Sequence, residues 1–163
     1  MSFDAIDEGR RQWGKRHPKK EHMAASTAIM RAQQIVLAQI DPLLKPLGLT
    51  FARYELLMML SFTRDGTASM SRLGERLMIH ATSVTSLVDR LERAGHVTRE
   101  PNPADRRGIL ARITPEGRQV ADDATARLVE AEFGLSGLSS AEARQLVALI
   151  RKARVAAGDL AAS

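Results

Sequence analysis

"PNPADRRGILARITPEG", residues 101–117, is the stretch that decides the fold. It sets Asp105, Arg106 and Arg107 at the tip of a turn between two expected strands, residues 97–100 and 109–113. In the second strand Ile109, Ala111 and Ile113 alternate with Leu110 and Arg112, the period of a half-buried strand. The stretch closes on "TPEG", where Thr114 is placed to cap a helix and Pro115 to take its first position. A turn that only needs to be soluble requires neither the paired arginines nor the aspartate beside them, so the flanking elements must account for both.

Immediately upstream, Ser69 caps a short helix, "MSRLGERL", in which Leu73 and Leu77 share a face. "MIHA" connects it tightly to "TSVTSLVDRLERAG", with Val84, Leu87, Val88 and Leu91 as the apolar stripe and Gly95 as the stop. Two helices joined by so few residues form a helix-turn-helix. The face opposite the stripe presents Thr82, Ser83, Ser86 and Arg90, hydroxyls that donate and accept together with one cation. Such a face suits base edges and phosphates in the major groove, and the free amides at the helix start favour an anion. The ribbon that follows is positioned to carry its arginines into the adjacent minor groove, where negative potential attracts a guanidinium. Asp105 is expected to hold one guanidinium in a bidentate pair and leave the other for DNA.

The rest of the chain reads as helices. Residues 3–16 carry Phe3, Ile6 and Trp13 and end at His17-Pro18. Residues 22–45 space Ile29, Ala32, Val36 and Ile40 as an amphipathic helix, which Pro42 is expected to kink or end early. Gly48 takes a left-handed C-terminal position and Thr50 caps "FARYELLMMLSFT", whose Leu56, Leu57 and Leu60 face the core; "DGTA", residues 65–68, reads as a turn. After the ribbon, Val120, Ala124, Leu128 and Ala131 recur at helical spacing. A last helix opens on a capping box, Ser139 to Glu142, and runs to about Ala157 with Leu146, Leu149, Ile150 and Ala153 on one side. The terminal helices are amphipathic but too few to enclose one another, which points to a two-fold dimer with two recognition helices one turn of DNA apart.

Composition narrows the class. The 163 residues are 44% hydrophobic, 26% charged and only 4% aromatic, so one domain with a helix-packed core is expected. A net charge of +5 suits a polyanionic partner. The absence of cysteine excludes disulfides, thiolate metal sites and cysteine-based redox sensing. No run reaches a membrane span and the N-terminus lacks the apolar core of a signal peptide, so a soluble cytoplasmic protein without a membrane partner is expected. His17 and His22 flank "PKKE" at poor metal spacing, and no phosphate loop, nucleophile elbow or acid–base pair stands out. Neither an enzyme nor a cofactor is expected.

From about Ala24 to Val155 the chain resembles the MarR winged-helix transcriptional regulators, through "GLTFARYELLMML", "SVTSLVDRLERAGHVTRE" and above all the Asp-Arg-Arg ribbon followed by "TPEG". The resemblance implies a mainly α fold, a winged helix-turn-helix with a two-stranded β-wing, dimerised through its N- and C-terminal helices. It divides a single domain, 1–163, into an extension helix (1–20), dimerisation helices (22–47 and 115–157) and a DNA-binding region (50–113). It also implies a recognition helix beginning near His80 and Ala81, and a wing whose Arg107 or Arg106 enters the minor groove with Asp105 bracing it. The function implied is that of a homodimeric repressor of a pseudo-palindromic operator in double-stranded DNA, relieved by a small molecule. The alternative is a winged-helix module that binds protein or grips DNA without sequence preference.

The extension bearing Trp13 is similar to that of the urate-responsive branch of this family, in which an added helix places its tryptophan in a pocket. The positions matching that pocket hold Trp13, Glu55, Leu87 and Arg99, with Met59 nearby. Leu87 cannot supply the cation a urate anion would want, so the expected effector is a different organic anion or aromatic compound. The other reading of Trp13 is a hydrophobic anchor for the extra helix.

Overall fold

The structure is a computed structural model that describes residues 3–160, without the side chains of Arg106 and Arg107. Seven helices and three strands follow in the order α1 (Ala5–Trp13), α2 (Lys20–Leu44), α3 (Phe51–Ser61), β1 (Thr67–Ser69), α4 (Met70–Leu77), α5 (Ala81–Arg93), β2 (Val97–Asn102), β3 (Asp105–Ile113), α6 (Pro115–Glu130) and α7 (Ser140–Ala156). Local chemistry sets most boundaries. The hydroxyls of Thr50, Ser69, Thr114 and Ser139 each accept from the backbone N–H three residues on, closing the first turns of α3, α4, α6 and α7. Gly48 and Gly95 adopt positive φ, 68° and 78°, just beyond helix ends.

Three expectations are corrected. The first helix spans 5–13 rather than 3–16: Asp4 supplies its N-cap, accepting from the N–H groups of Ile6 and Asp7, and the chain turns after Trp13. Pro42 does not end α2 early. It forfeits a single backbone bond near the helix end, and burial of Ile40 and Leu44 on either side holds that turn in place. The segment Thr67–Ser69, read as the end of a turn and a cap, is a third strand beside the two-stranded wing, its Thr67, Ala68 and Ser69 pairing antiparallel with Arg112, Ala111 and Leu110. The sheet order is β1-β3-β2, with β3 central.

One core ties these elements together. Leu44 from α2, Leu56, Leu57 and Leu60 from α3, Leu73 from α4, Val84, Val88 and Leu91 from α5, Val97 and Ala111 from the sheet and Leu128 from α6 are all essentially sealed from solvent. Helix α5 is therefore seated by its expected stripe against α3, α4 and the root of the wing. By contrast α7 buries no residue, and its Leu146, Val147, Leu149 and Ile150 lie open together with Ile29 and Met30 of α2.

Candidate nucleic-acid interface

The outward face of α5 is built as its spacing requires. Thr82, Ser83, Ser86 and Arg90 are exposed, as are His80 and Ala81 at its start. Among the described residues Ser83, Ser86 and Arg90 have no side-chain partner, so two hydroxyls and a guanidinium are free to meet a ligand. Thr85, on the same turns, donates its hydroxyl to the carbonyl of Ala81 at 3.1 Å and is thereby occupied. His80 is the N-cap, its ring facing Thr82. On the first helix of the motif, Ser71, Arg72 and Arg76 are also exposed, away from buried Leu73. Sequence reading passed over these basic groups, although their place opposite Leu73 and Leu77 is the signal that finds them.

The wing is longer than expected. β2 reaches Asn102 and β3 begins at Asp105, so the backbone of Arg106 and Arg107 belongs to a strand and the tip is Pro103-Ala104. The side chains of both arginines lie outside the described part of the structure. Asp105 leans back over the hairpin: a Cβ built on Gly108 would stand 3.1 Å from its Oδ2. At the wing's root, Arg112 grips Glu100 through three contacts of 2.7 to 3.1 Å and donates to the carbonyl of Asp65 at 2.8 Å, locking β1's approach to β3.

Arg99 is the side chain that joins the wing to α5. From β2 it donates to Glu92 at 2.6 Å, to Asp89 and to the carbonyl of Thr85, three groups on successive turns of one α5 face. The hydrogen bond to Asp89, reinforced by the charge of Glu92, raises the guanidinium above its usual range, so it stays cationic.

The five residues expected at or beside one pocket are distributed over four places. Glu55 and Met59 line an open cleft with Tyr54, Met58, Arg76 and Met78, and desolvation by these neighbours raises the Glu55 carboxyl above the ordinary carboxylate value. Arg99 is held in its clamp on α5 and does not line that cleft. Trp13 is likewise absent from it. Its indole N–H donates to the carbonyl of Pro18 at 2.9 Å and its ring leans on His17, centroids 4.6 Å apart. Leu87 packs against the core. Within one chain, then, Trp13 anchors the turn between α1 and α2. Among the described residues no group of acidic or histidine side chains could hold a metal ion.

Residues 47–108, from the turn beyond α2 through most of the wing, match the model of the MarR family. Sco5413, a MarR family transcriptional regulator from Streptomyces coelicolor, is 51% identical in its crystal structure and superposes with a TM-score of 0.79 over 86% of this chain and 97% of its own. The chain belongs to the MarR family. Members are DNA-binding transcriptional regulators. YkoM, an HTH-type transcriptional regulator of Bacillus subtilis, is 36% identical over 106 residues, 64% of this chain and 66% of its own length. A second MarR family regulator from Streptomyces coelicolor, Sco3205, solved in complex with DNA, is 25% identical with a TM-score of 0.76, covering 86% of this chain and 92% of its own.

Proposed function

We propose that this MarR family member is a homodimeric repressor of a pseudo-palindromic operator, relieved when a small molecule binds. In this reading α5 lies in the major groove, with Ser83 and Ser86 toward base edges and Arg90 toward phosphate, and Arg72 on α4 meets the neighbouring backbone. The wing carries Arg107 or Arg106 into the minor groove, with Asp105 as its brace. The observation that carries the reading is the outward face of α5: its free hydroxyls and guanidinium stand on a helix whose other side is sealed into the core. The exposed apolar groups of α2 and α7 favour a second copy as partner. The cleft beside Glu55 and Met59 suits an aromatic or weakly charged effector.

The experiment is selection of a binding site from randomised duplex DNA, followed by titration of that site and a scrambled one at about 150 mM salt, a concentration at which nonspecific phosphate contacts are weakened. One dimer should bind a palindrome, and Arg107→Ala should cost ~1 to 3 kcal/mol of that affinity. Equal, salt-sensitive binding to both duplexes would replace the repressor reading by that of an architectural protein.

A further inference from the structure

The first turn of α5 contains a hydrogen-bond arrangement with a fixed direction. His80 Nδ1 lies 2.8 Å from Thr82 Oγ1 and 3.4 Å from the backbone N of Thr82. A backbone N–H can only donate, so Nδ1 must carry the lone pair and the ring proton resides on Nε2. The Thr82 hydroxyl, facing the same acceptor, spends its one hydrogen there. What Oγ1 then turns outward is lone pairs alone. Its neighbours differ: Ser83 and Ser86 have no side-chain partner among the described residues, and their hydroxyls are free to rotate into either role.

We infer that the His80–Thr82 pair sets the hydrogen-bond polarity of the recognition helix, so that Thr82 acts as an acceptor and reads an exocyclic amino group, adenine N6 or cytosine N4, in the major groove. This rests on α5 entering that groove, as proposed above. At the same position guanine O6 or thymine O4 would set two acceptors against each other, and a phosphate oxygen would do the same. Thr82 is therefore a base-reading residue and not a phosphate contact. His80, through Nε2–H, is left as an outward donor. It also acts as a positioning residue, because it decides what Thr82 can recognise without itself touching that base.

The test measures relative affinity for the selected operator with each of the four bases at every half-site position. It uses the full-length protein and three variants. In Thr82→Val the hydroxyl is replaced by a methyl of the same shape. In His80→Asn the side-chain Oδ1 takes the place of Nδ1 and keeps the acceptor. In His80→Gly the helix keeps a tolerated N-cap residue, but no side chain is left to accept from the Thr82 hydroxyl, which is released to donate. The wild type should prefer adenine or cytosine over guanine and thymine at one position by about 5-fold, the scale of one net hydrogen bond. Thr82→Val should flatten that preference, His80→Gly should reduce it to about 2-fold or less, and His80→Asn should retain it whatever happens to overall affinity. Retention of the full preference in His80→Gly, or an unchanged profile in Thr82→Val, overturns the inference. A wild type with no base preference anywhere overturns instead the placement of α5 in the groove. Helical content by circular dichroism confirms that each variant is folded.

Discussion

Arg99 converts two acidic side chains on α5 from a repulsive pair into a clamp. Asp89 and Glu92 stand three apart on α5, where like charges oppose each other. The guanidinium from β2 lies between them at about a quarter exposure. Because all three groups are partly open to water, the clamp is worth less than its short contacts suggest. Arg99→Met should destabilise the fold by about 1 kcal/mol in urea unfolding, with the difference shrinking in 1 M salt as screening weakens both attraction and repulsion. A variant as stable as wild type at low salt would show that the clamp orients the wing without stabilising it.

At the scale of elements, the start of α6 and the start of α7 are secured in different ways. Gly117, in the first turn of α6, lies against the strand root so closely that a Cβ there would stand 2.1 Å from the carbonyl oxygen of His96. That oxygen is backbone and already accepts from the N–H of Thr114 at 3.0 Å, so it cannot move aside freely. Gly117→Ala should cost about 3 kcal/mol, the upper range for overpacking, read as a lowered midpoint in chemical denaturation; a near-neutral result would mean that α6 is free to shift on the wing. α7 relies on its capping box. Glu142 accepts from the hydroxyl of Ser139 at 2.6 Å and from its backbone N at 2.8 Å, and these bonds hold the carboxyl below its ordinary value of 4.5. Since the folded state prefers the ionised form, the contribution is complete above 4.5 and is lost as pH falls through the lower folded value. The stability difference between wild type and Glu142→Gln should be present at neutral pH and should close on acidification below 4.5; a difference independent of pH would assign the cap to Ser139 alone.

At the scale of the whole molecule, the apolar surface is concentrated on the terminal helices. Val147 and Leu149 of α7 are 67% and 64% exposed, and Met30 of α2 is 67% exposed, although the chain has a well-sealed core around α3 to α6. Water penalises such a face, and a second copy is the partner proposed to cover it. Leu149→Glu is expected to convert a dimer to a monomer by light scattering and to weaken binding to a palindromic site by at least about 10-fold, since one dimer then no longer engages both half-sites. A variant that stays dimeric would remove this face from the interface.

Much of the candidate site was legible in the sequence because it is local. Val84, Val88 and Leu91 lie inside and Ser83, Ser86 and Arg90 outside by helical period alone, and the caps at Thr50, Ser69, Thr114 and Ser139 act within their own first turns. The strand Ile109 to Ile113 was legible for the same reason: its alternation is written residue by residue. Tertiary structure decided whatever depends on a distant partner. Thr67–Ser69 is too short to declare itself a strand and becomes one only because β3 offers a free edge. Gly117 looks like an ordinary helix residue until the His96 carbonyl is brought against it. Arg99 reads equally well as a pocket cation until the fold sets Asp89 and Glu92 beside it, and Trp13 as a pocket wall until the turn at Pro18 takes its indole hydrogen. Period and capping are properties of neighbouring residues along the chain, whereas strand edges, close approaches and ion pairs arise only when the chain folds back on itself.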